Sequence, residues 1–459
     1  MLCKRHIWVT RLNHRRKYSA FSYRNLLYQR STEGSVTRSS FPRRSTFNRV
    51  HSTMPTQLPF DIIALIVDIV GESKDTDLLK ELALVSHSFL QICSNHLFAI
   101  IELHSANSLF ASSSSKKGFV KLLKDRPEVV KYIRELKYNV LLYNDDDDHL
   151  LSPILLNFLP TFSRLNSLTI TSISQDWNRM NPSLTSAFLH IMHLPTINHI
   201  DLSYIQNFPL FSLAQSVNLL QLDIHNLYRS YWHLLEEDAS PEIVADMMPK
   251  IRKFYTSGSS RLTMKLLHAK TPDGLPAFNF MDLRRFSINI GGFEDEQNIR
   301  YLLQKAKLLE NLRLSVARAQ SLEGLLSPGA RNIKDLDLSV FLWDGNSIFL
   351  GGTCEELEAL AGQNMLEAFK LRVGIDSDDT ISTEGFIGSI FQKVENILVK
   401  PGWSALRRVS FKVLTSGWNK GNATRLCEAL QSLPDKYLSH FSKLESVTFN
   451  YEACPPNCP

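Results

Sequence analysis

One short pattern recurs along most of this chain and restricts its fold more than any other feature. It reads apolar-x-x-apolar-x-apolar. Its copies are Ile133-x-x-Leu136-x-Tyr138, Leu165-x-x-Leu168-x-Ile170, Ile197-x-x-Ile200-x-Leu202 and Leu219-x-x-Leu222-x-Ile224, a weaker Ile251-x-x-Phe254, then Leu283-x-x-Phe286-x-Ile288, Leu309-x-x-Leu312-x-Leu314, Ile333-x-x-Leu336-x-Leu338, Leu366-x-x-Phe369-x-Leu371, Leu406-x-x-Val409-x-Phe411 and Leu444-x-x-Val447-x-Phe449. The first residues of successive copies step by 32, 32, 22, 32, 32, 26, 24, 33, 40 and 38. The last three positions of each copy alternate as a short strand does. Between copies lie helix-like segments: Leu184, Phe188, Ile191 and Met192; Ile299, Leu302, Leu303 and Ala306; Leu426, Ala429, Leu430 and Leu433. A single copy means little in a leucine-rich chain. Eleven copies, with four of ten steps at 32, place an α/β solenoid above an unrelated α/β domain. A strand–helix unit cannot bury its inner face alone, so units must stack with their strands in parallel.

The pattern resembles leucine-rich repeats over residues 130–450, with one departure. Three positions past the last apolar residue, where that family places Asn or Cys, this chain has Ile173, Ile205, Leu227, Gly291 and Phe341. The side-chain ladder that tightens the family's turn is therefore missing, and long, uneven units are expected. The core should include Leu168, Ile170, Ile200, Leu202, Leu222, Ile224, Phe286, Ile288, Leu336, Leu338, Phe369 and Leu371. Residues 105–129, with Ser112–Ser115 and Lys116-Lys117 leading into a helix-like Phe119–Leu123, read as a linker. Residues 451–459 read as a tail.

Ahead of the repeats, residues 55–104 read as three short helices. Ile62, Ile63, Leu65, Ile66, Ile69 and Val70 form a broad apolar stripe on the first, with Pro59 near its first turn and Gly71 as a stop. A second helix is expected at Asp77–Val85, capped by Asp77 or Thr76, with Leu78, Leu79, Leu82 and Val85 inward. A third follows from about Ser86, carrying Phe89, Leu90, Ile92 and Leu97. So small a bundle buries little surface alone and leans on a neighbour. Leu58-Pro59-x-Asp61-Ile62, then Leu82-x-Leu84-Val85-Ser86-x-x-Phe89, then His96-Leu97-Phe98, resembles an F-box of the fungal type, with Phe89 where the family often has Trp. The resemblance implies docking on the Skp-type adaptor of a cullin–RING ubiquitin ligase, through Leu58, Pro59, Ile62, Ile66, Leu84, Val85 and Phe89. A protein substrate would sit on the solenoid. The fold class expected is thus α/β: a three-helix F-box followed by an irregular leucine-rich-repeat-like solenoid with a parallel sheet. A scaffold outside any ligase, whose helices only cap the solenoid, is the alternative.

Charge separates the first segment from the rest. Residues 1–53 hold twelve Lys/Arg and one acid, so their net charge is +11; the remaining 406 residues sum to −6, against +5 for the whole chain. The basicity belongs to the tail and gives no reason to expect nucleic-acid binding by the folded body. Residues 1–54 resemble a mitochondrial transit peptide in composition, but a disordered basic arm, or an extension upstream of a start at Met54, is preferred to import. Cytoplasmic or nuclear placement is expected.

Catalytic signatures are missing. No G-x-x-x-x-G-K-[ST], G-x-S-x-G, H-E-x-x-H or G-x-G-x-x-G occurs. Asp145–Asp148 beside His149, and Asp376-Ser377-Asp378-Asp379, read as solvated turns, because their spacing is not that of a calcium loop. His190, His193 and His199 lack a fourth ligand. Of six cysteines only Cys454 and Cys458 are close, without a second pair, so neither a zinc site nor a disulfide framework is expected. The longest apolar run, Ile62–Val67, is six residues, far below the roughly 18 a membrane span needs. The expectation is an interaction protein with no cofactor, no catalysis of its own and no membrane partner.

Overall fold

The computed structural model describes residues 59–104, 115–140, 148–227, 248–271, 273–316, 324–326, 330–343, 351–362, 364–376, 380–415 and 428–454. The basic segment, Leu58, Leu426, Cys458 and most of both acidic runs lie outside these residues.

Each copy of the apolar pattern places two side chains on the same face of a strand, and one sheet collects them. Its strands are β1 (Ile100–His104), β2 (Glu135–Val140), β3 (Ser167–Asp176), β4 (His199–Gln206), β5 (Gln221–His225), β6 (Lys253–Ser257), β7 (Arg285–Ile290), β8 (Asn311–Val316), β9 (Asp335–Trp343), β10 (Ala368–Asp376), β11 (Arg408–Thr415) and β12 (Thr448–Cys454). All twelve belong to one sheet whose order follows the chain, and every neighbouring pair is parallel. The twelve expected core residues are all buried. Each such apolar side chain stabilises by about 1.5–3 kcal/mol relative to exposure. Where the weak copy lacks its third apolar residue, buried Thr256 bonds its hydroxyl to that of Thr263, 2.8 Å away.

The crossovers explain the uneven steps. Helices α4 (Ser115–Asp125), α5 (Asp148–Phe158), α6 (Pro182–Met192), α7 (Ser260–His268), α8 (Phe293–Lys305), α9 (Gly351–Leu360), α10 (Thr380–Leu398) and α11 (Leu433–Tyr437) follow β1, β2, β3, β6, β7, β9, β10 and β11. The step of 22 is spanned by a 3₁₀ turn at Leu210–Gln215, while the step of 40 holds the 19-residue α10. A backbone ladder is repeated where the strands begin. The amides of Asn166 and Ser167 both bond to the Arg134 carbonyl, those of Asn198 and His199 to Asn166, and those of Leu220 and Gln221 to Asn198, at 2.9–3.1 Å. The arrangement continues to Arg407 and Arg408, which share the Glu367 carbonyl. Side-chain ladders are thus not needed to hold this edge in register.

Three expectations about the sheet change. The sheet starts at β1, not near residue 130: Ile101 pairs with Leu136 and Leu103 with Tyr138, and α4 occupies the supposed linker. The last copy is displaced by two residues, since Val409 lies opposite Phe449 and Phe411 opposite Tyr451. Alternation alone cannot distinguish Val447-x-Phe449 from Phe449-x-Tyr451, and the neighbouring strand decides. The supposed tail also contributes residues 451–454 to β12.

At the start of the described chain, α1 (Phe60–Ser73), α2 (Thr76–Ala83) and α3 (His87–Leu97) form a bundle with its own small core of Val67, Leu79, Ile92 and Cys93. Asp75, rather than Thr76 or Asp77, caps α2 by accepting from the Leu78 amide at 3.0 Å, and Ser86 caps α3. Gly71 does not end α1, which continues to Ser73 and closes on Lys74 at φ 60°. A Cβ at Gly71 would lie 2.1 Å from the His96 ring, so its role is the close approach of α1 to α3. Asn95 accepts from Arg164 at 3.0 Å, and Phe98 packs against the main core, joining bundle to sheet.

Candidate functional site

The expected apolar stripe of α1 divides into two faces. Ile63, Ala64, Val67 and Val70 turn into the bundle. Ile62, Leu65, Ile66 and Ile69 share the i, i+3, i+4, i+7 spacing of a second face, offset by about 100°, and all four are exposed. A helix apolar on both faces ordinarily buries both. Here one is used internally and the other is open. The turn between α2 and α3 continues the exposure, with Leu84 at 75% and Val85 at 66%.

The residues expected to dock a partner therefore separate. Pro59 is exposed, and its carbonyl accepts from the Ile62 and Ile63 amides at 3.0 and 3.2 Å, fixing the entry of α1. Ile62, Ile66, Leu84 and Val85 are exposed. Phe89 differs: it lies with Ile92 and Cys93 at i, i+3, i+4 spacing and packs half-buried on the bundle core, so its ring is not a free anchor. Leu58 lies outside the described residues. Leu65 and Ile69 complete the open face, and Phe60, at the first position of α1, is exposed as well. Of the residues expected inward on α2, Leu79 and Leu82 pack into the bundle, whereas Leu78 is exposed and Val85, exposed too, lies beyond the end of α2 at Ala83.

The sheet offers the second large surface. Helices cover one face; the other presents rows of polar side chains in register. His199 joins two strands beyond its own by hydrogen bonds to Ser167 at 2.9 Å and Asp223 at 3.0 Å. Burial pushes the Asp201 carboxyl up, partly offset by nearby His225. Toward the C-terminal half, a depression of about 500 Å³ is lined by charged residues, among them Lys253, Arg285, Asp337 and Lys370.

The histidines and cysteines singled out in the sequence have the following surroundings. His190 bonds its own helix at Ser186, while His193 bonds the Ser212 carbonyl and burial pushes its pKa down. His199 thus points elsewhere, and among the described residues no group of three His, Cys, Asp or Glu could hold a metal. Burial pushes the Cys93 and Cys354 thiols up, away from the reactive thiolate. Among the described residues no helix is long and apolar enough to cross a membrane. Compared with known proteins, the chain matches no family model and no curated protein.

Proposed function

We propose that this chain is the substrate-recognition subunit of a cullin–RING ubiquitin ligase. In this reading α1–α3 form an F-box that docks on the Skp-type adaptor. The stacked units form an irregular leucine-rich-repeat-like solenoid that holds a protein substrate on its open face. Catalysis would reside in other chains; this one would supply proximity, raising the effective concentration of substrate lysines near the conjugating enzyme. The observation that carries the reading is the unspent apolar face of α1 and the α2–α3 turn. A cluster of exposed Ile and Leu within one small bundle is the kind of surface a partner covers. One observation favours the scaffold alternative: the bundle leans on the sheet's first units through Asn95 and Phe98, as a cap would. A cap, however, does not require Ile62, Ile66 and Leu84 on its outer side.

The test is a pulldown of wild type and the Ile66→Glu, Leu84→Glu double variant from the same cells. Both positions are exposed, so circular dichroism should be unchanged. Loss of a central interfacial contact of this kind costs on the order of 2–4 kcal/mol, or roughly 30- to 1000-fold in affinity. Adaptor and cullin should co-purify with wild type and not with the variant. Wild type that recovers neither gives the case to the scaffold.

A further inference from the structure

The open face of the sheet has a charge gradient that the linear sequence does not display. Over the first three open-face positions of β1–β5 there are four acids, Glu102, Glu135, Asp201 and Asp223, against Lys137 alone. The same positions of β6–β11 carry Lys253, Arg285, Arg313, Lys370, Arg372, Arg408 and Lys412 against Asp335 and Asp337. This basic area stands on a chain whose residues 54–459 sum to −6, so it does not follow overall composition.

Internal pairing consumes only part of it. Asp337 is shared by Arg372 at 2.7 Å and Arg313 at 3.7 Å; Asp335 faces Arg408 at 3.6 Å, and Lys412 bonds Glu452 at 2.8 Å. Among the described residues no carboxylate pairs with Lys253, Arg285 or Lys370, and all three are exposed and line the same depression. Between them stand Tyr255, Ser287 and Asn311, which offer hydrogen bonds to a polypeptide backbone. From β6 to β10 the area spans four strand spacings, roughly 19 Å, the length of about six extended residues. Asp335 and Asp337 at its centre are paired with arginines and leave a gap in the positive row, which suits a segment with separated carboxylates better than an evenly charged phosphate backbone.

We propose that this depression binds an extended acidic peptide segment, whose carboxylates meet Lys253, Arg285 and Lys370. The proposal deepens the substrate-holding reading above and rests on it for its biological role, though not for the binding itself. Charge complementarity of this type sets specificity and on-rate and weakens with salt.

The experiment uses fluorescence anisotropy on the full chain with a labelled eight-residue peptide containing five glutamates. Parallel probes replace the glutamates with glutamines, replace two with phosphoserine, or substitute an eight-nucleotide single-stranded DNA. The glutamate peptide should bind saturably, the glutamine peptide should not, and affinity should fall several-fold on raising salt. The Lys253→Glu, Arg285→Glu, Lys370→Glu variant should lose at least tenfold, while Lys307→Glu, away from the depression, should bind as wild type. Equal binding by the triple variant, no binding of the glutamate peptide, or binding only of phosphopeptide or DNA would overturn the proposal. Adaptor capture measured on the same triple variant should be intact. That readout belongs to α1–α3, so failure of the peptide site and failure of the ligase reading are distinguishable.

Discussion

The bundle and the sheet treat apolar residues in opposite ways. Among the described residues, eight large exposed hydrophobic side chains fall within 60–85, and nine are scattered over all the rest. The bundle meanwhile has four buried apolar residues in its own core, whereas the sheet and its helices share one continuous cluster. Repetition explains the difference. Each strand–helix unit is covered by its neighbours, so its apolar residues are satisfied within the chain. Three isolated helices have a single neighbour and retain an uncovered face. The sheet is therefore held together by what it buries, and the bundle is informative for what it leaves exposed.

The largest effect should come from breaking the sheet's side of this comparison. Leu336 and Leu338 face inward on β9 beside Phe369 and Leu371 of β10. Changing both to Asp places two carboxylates in an apolar layer and should cost more than about 4 kcal/mol. Urea unfolding should show loss of the adjoining units as well, and a variant that melts like wild type would contradict a shared core.

A smaller loss is expected at Glu395 on α10. Its buried carboxylate accepts from the His440 and Phe441 amides at 2.8 and 3.0 Å and from the His440 ring at 3.0 Å. Glu395→Ala leaves these donors without an acceptor and should cost about 1–3 kcal/mol. Hydrogen exchange should show the weakening at residues 438–443, with β1–β5 unaffected.

Phe89→Ala should be milder, about 1–2 kcal/mol, because the ring is half-buried and a fully buried phenylalanine costs about 3–5 kcal/mol. The loss should appear in exchange protection of α1–α3 and leave the sheet's main transition in place. That outcome would sharpen the distinction between two separately held cores; a uniform loss through β12 would erase it.

Much of this architecture is legible in the sequence because the signal repeats. Leu168-x-Ile170, Ile200-x-Leu202 and Leu222-x-Ile224 alternate with period two at a steady spacing, which suffices for strands, parallel pairing and core. Where repetition stops, the reading fails. Ile101-x-Leu103 is the same motif, yet it closely follows α3 and reads in the sequence as part of the helical stretch. Val447, Phe449 and Tyr451 alternate without a break, so only Val409 on β11 fixes the register. The stripe on α1 mixes residues of two faces, which only the placement of α2 and α3 separates. The charged area was hidden for a simpler reason: Lys253 and Lys370 are far apart in the chain, and the stacking of strands brings them to one depression.

The central claim is that the exposed face of α1 and the α2–α3 turn exists for a partner and not for the fold. It is tested most directly by measuring stability and adaptor binding on one variant, Ile66→Glu with Leu84→Glu. Exposed substitutions of this kind should change urea stability by no more than about 0.5 kcal/mol each, while affinity for purified Skp-type adaptor, measured by calorimetry, should fall at least roughly 30-fold. Unchanged adaptor affinity, or a variant that unfolds with the bundle, would contradict it.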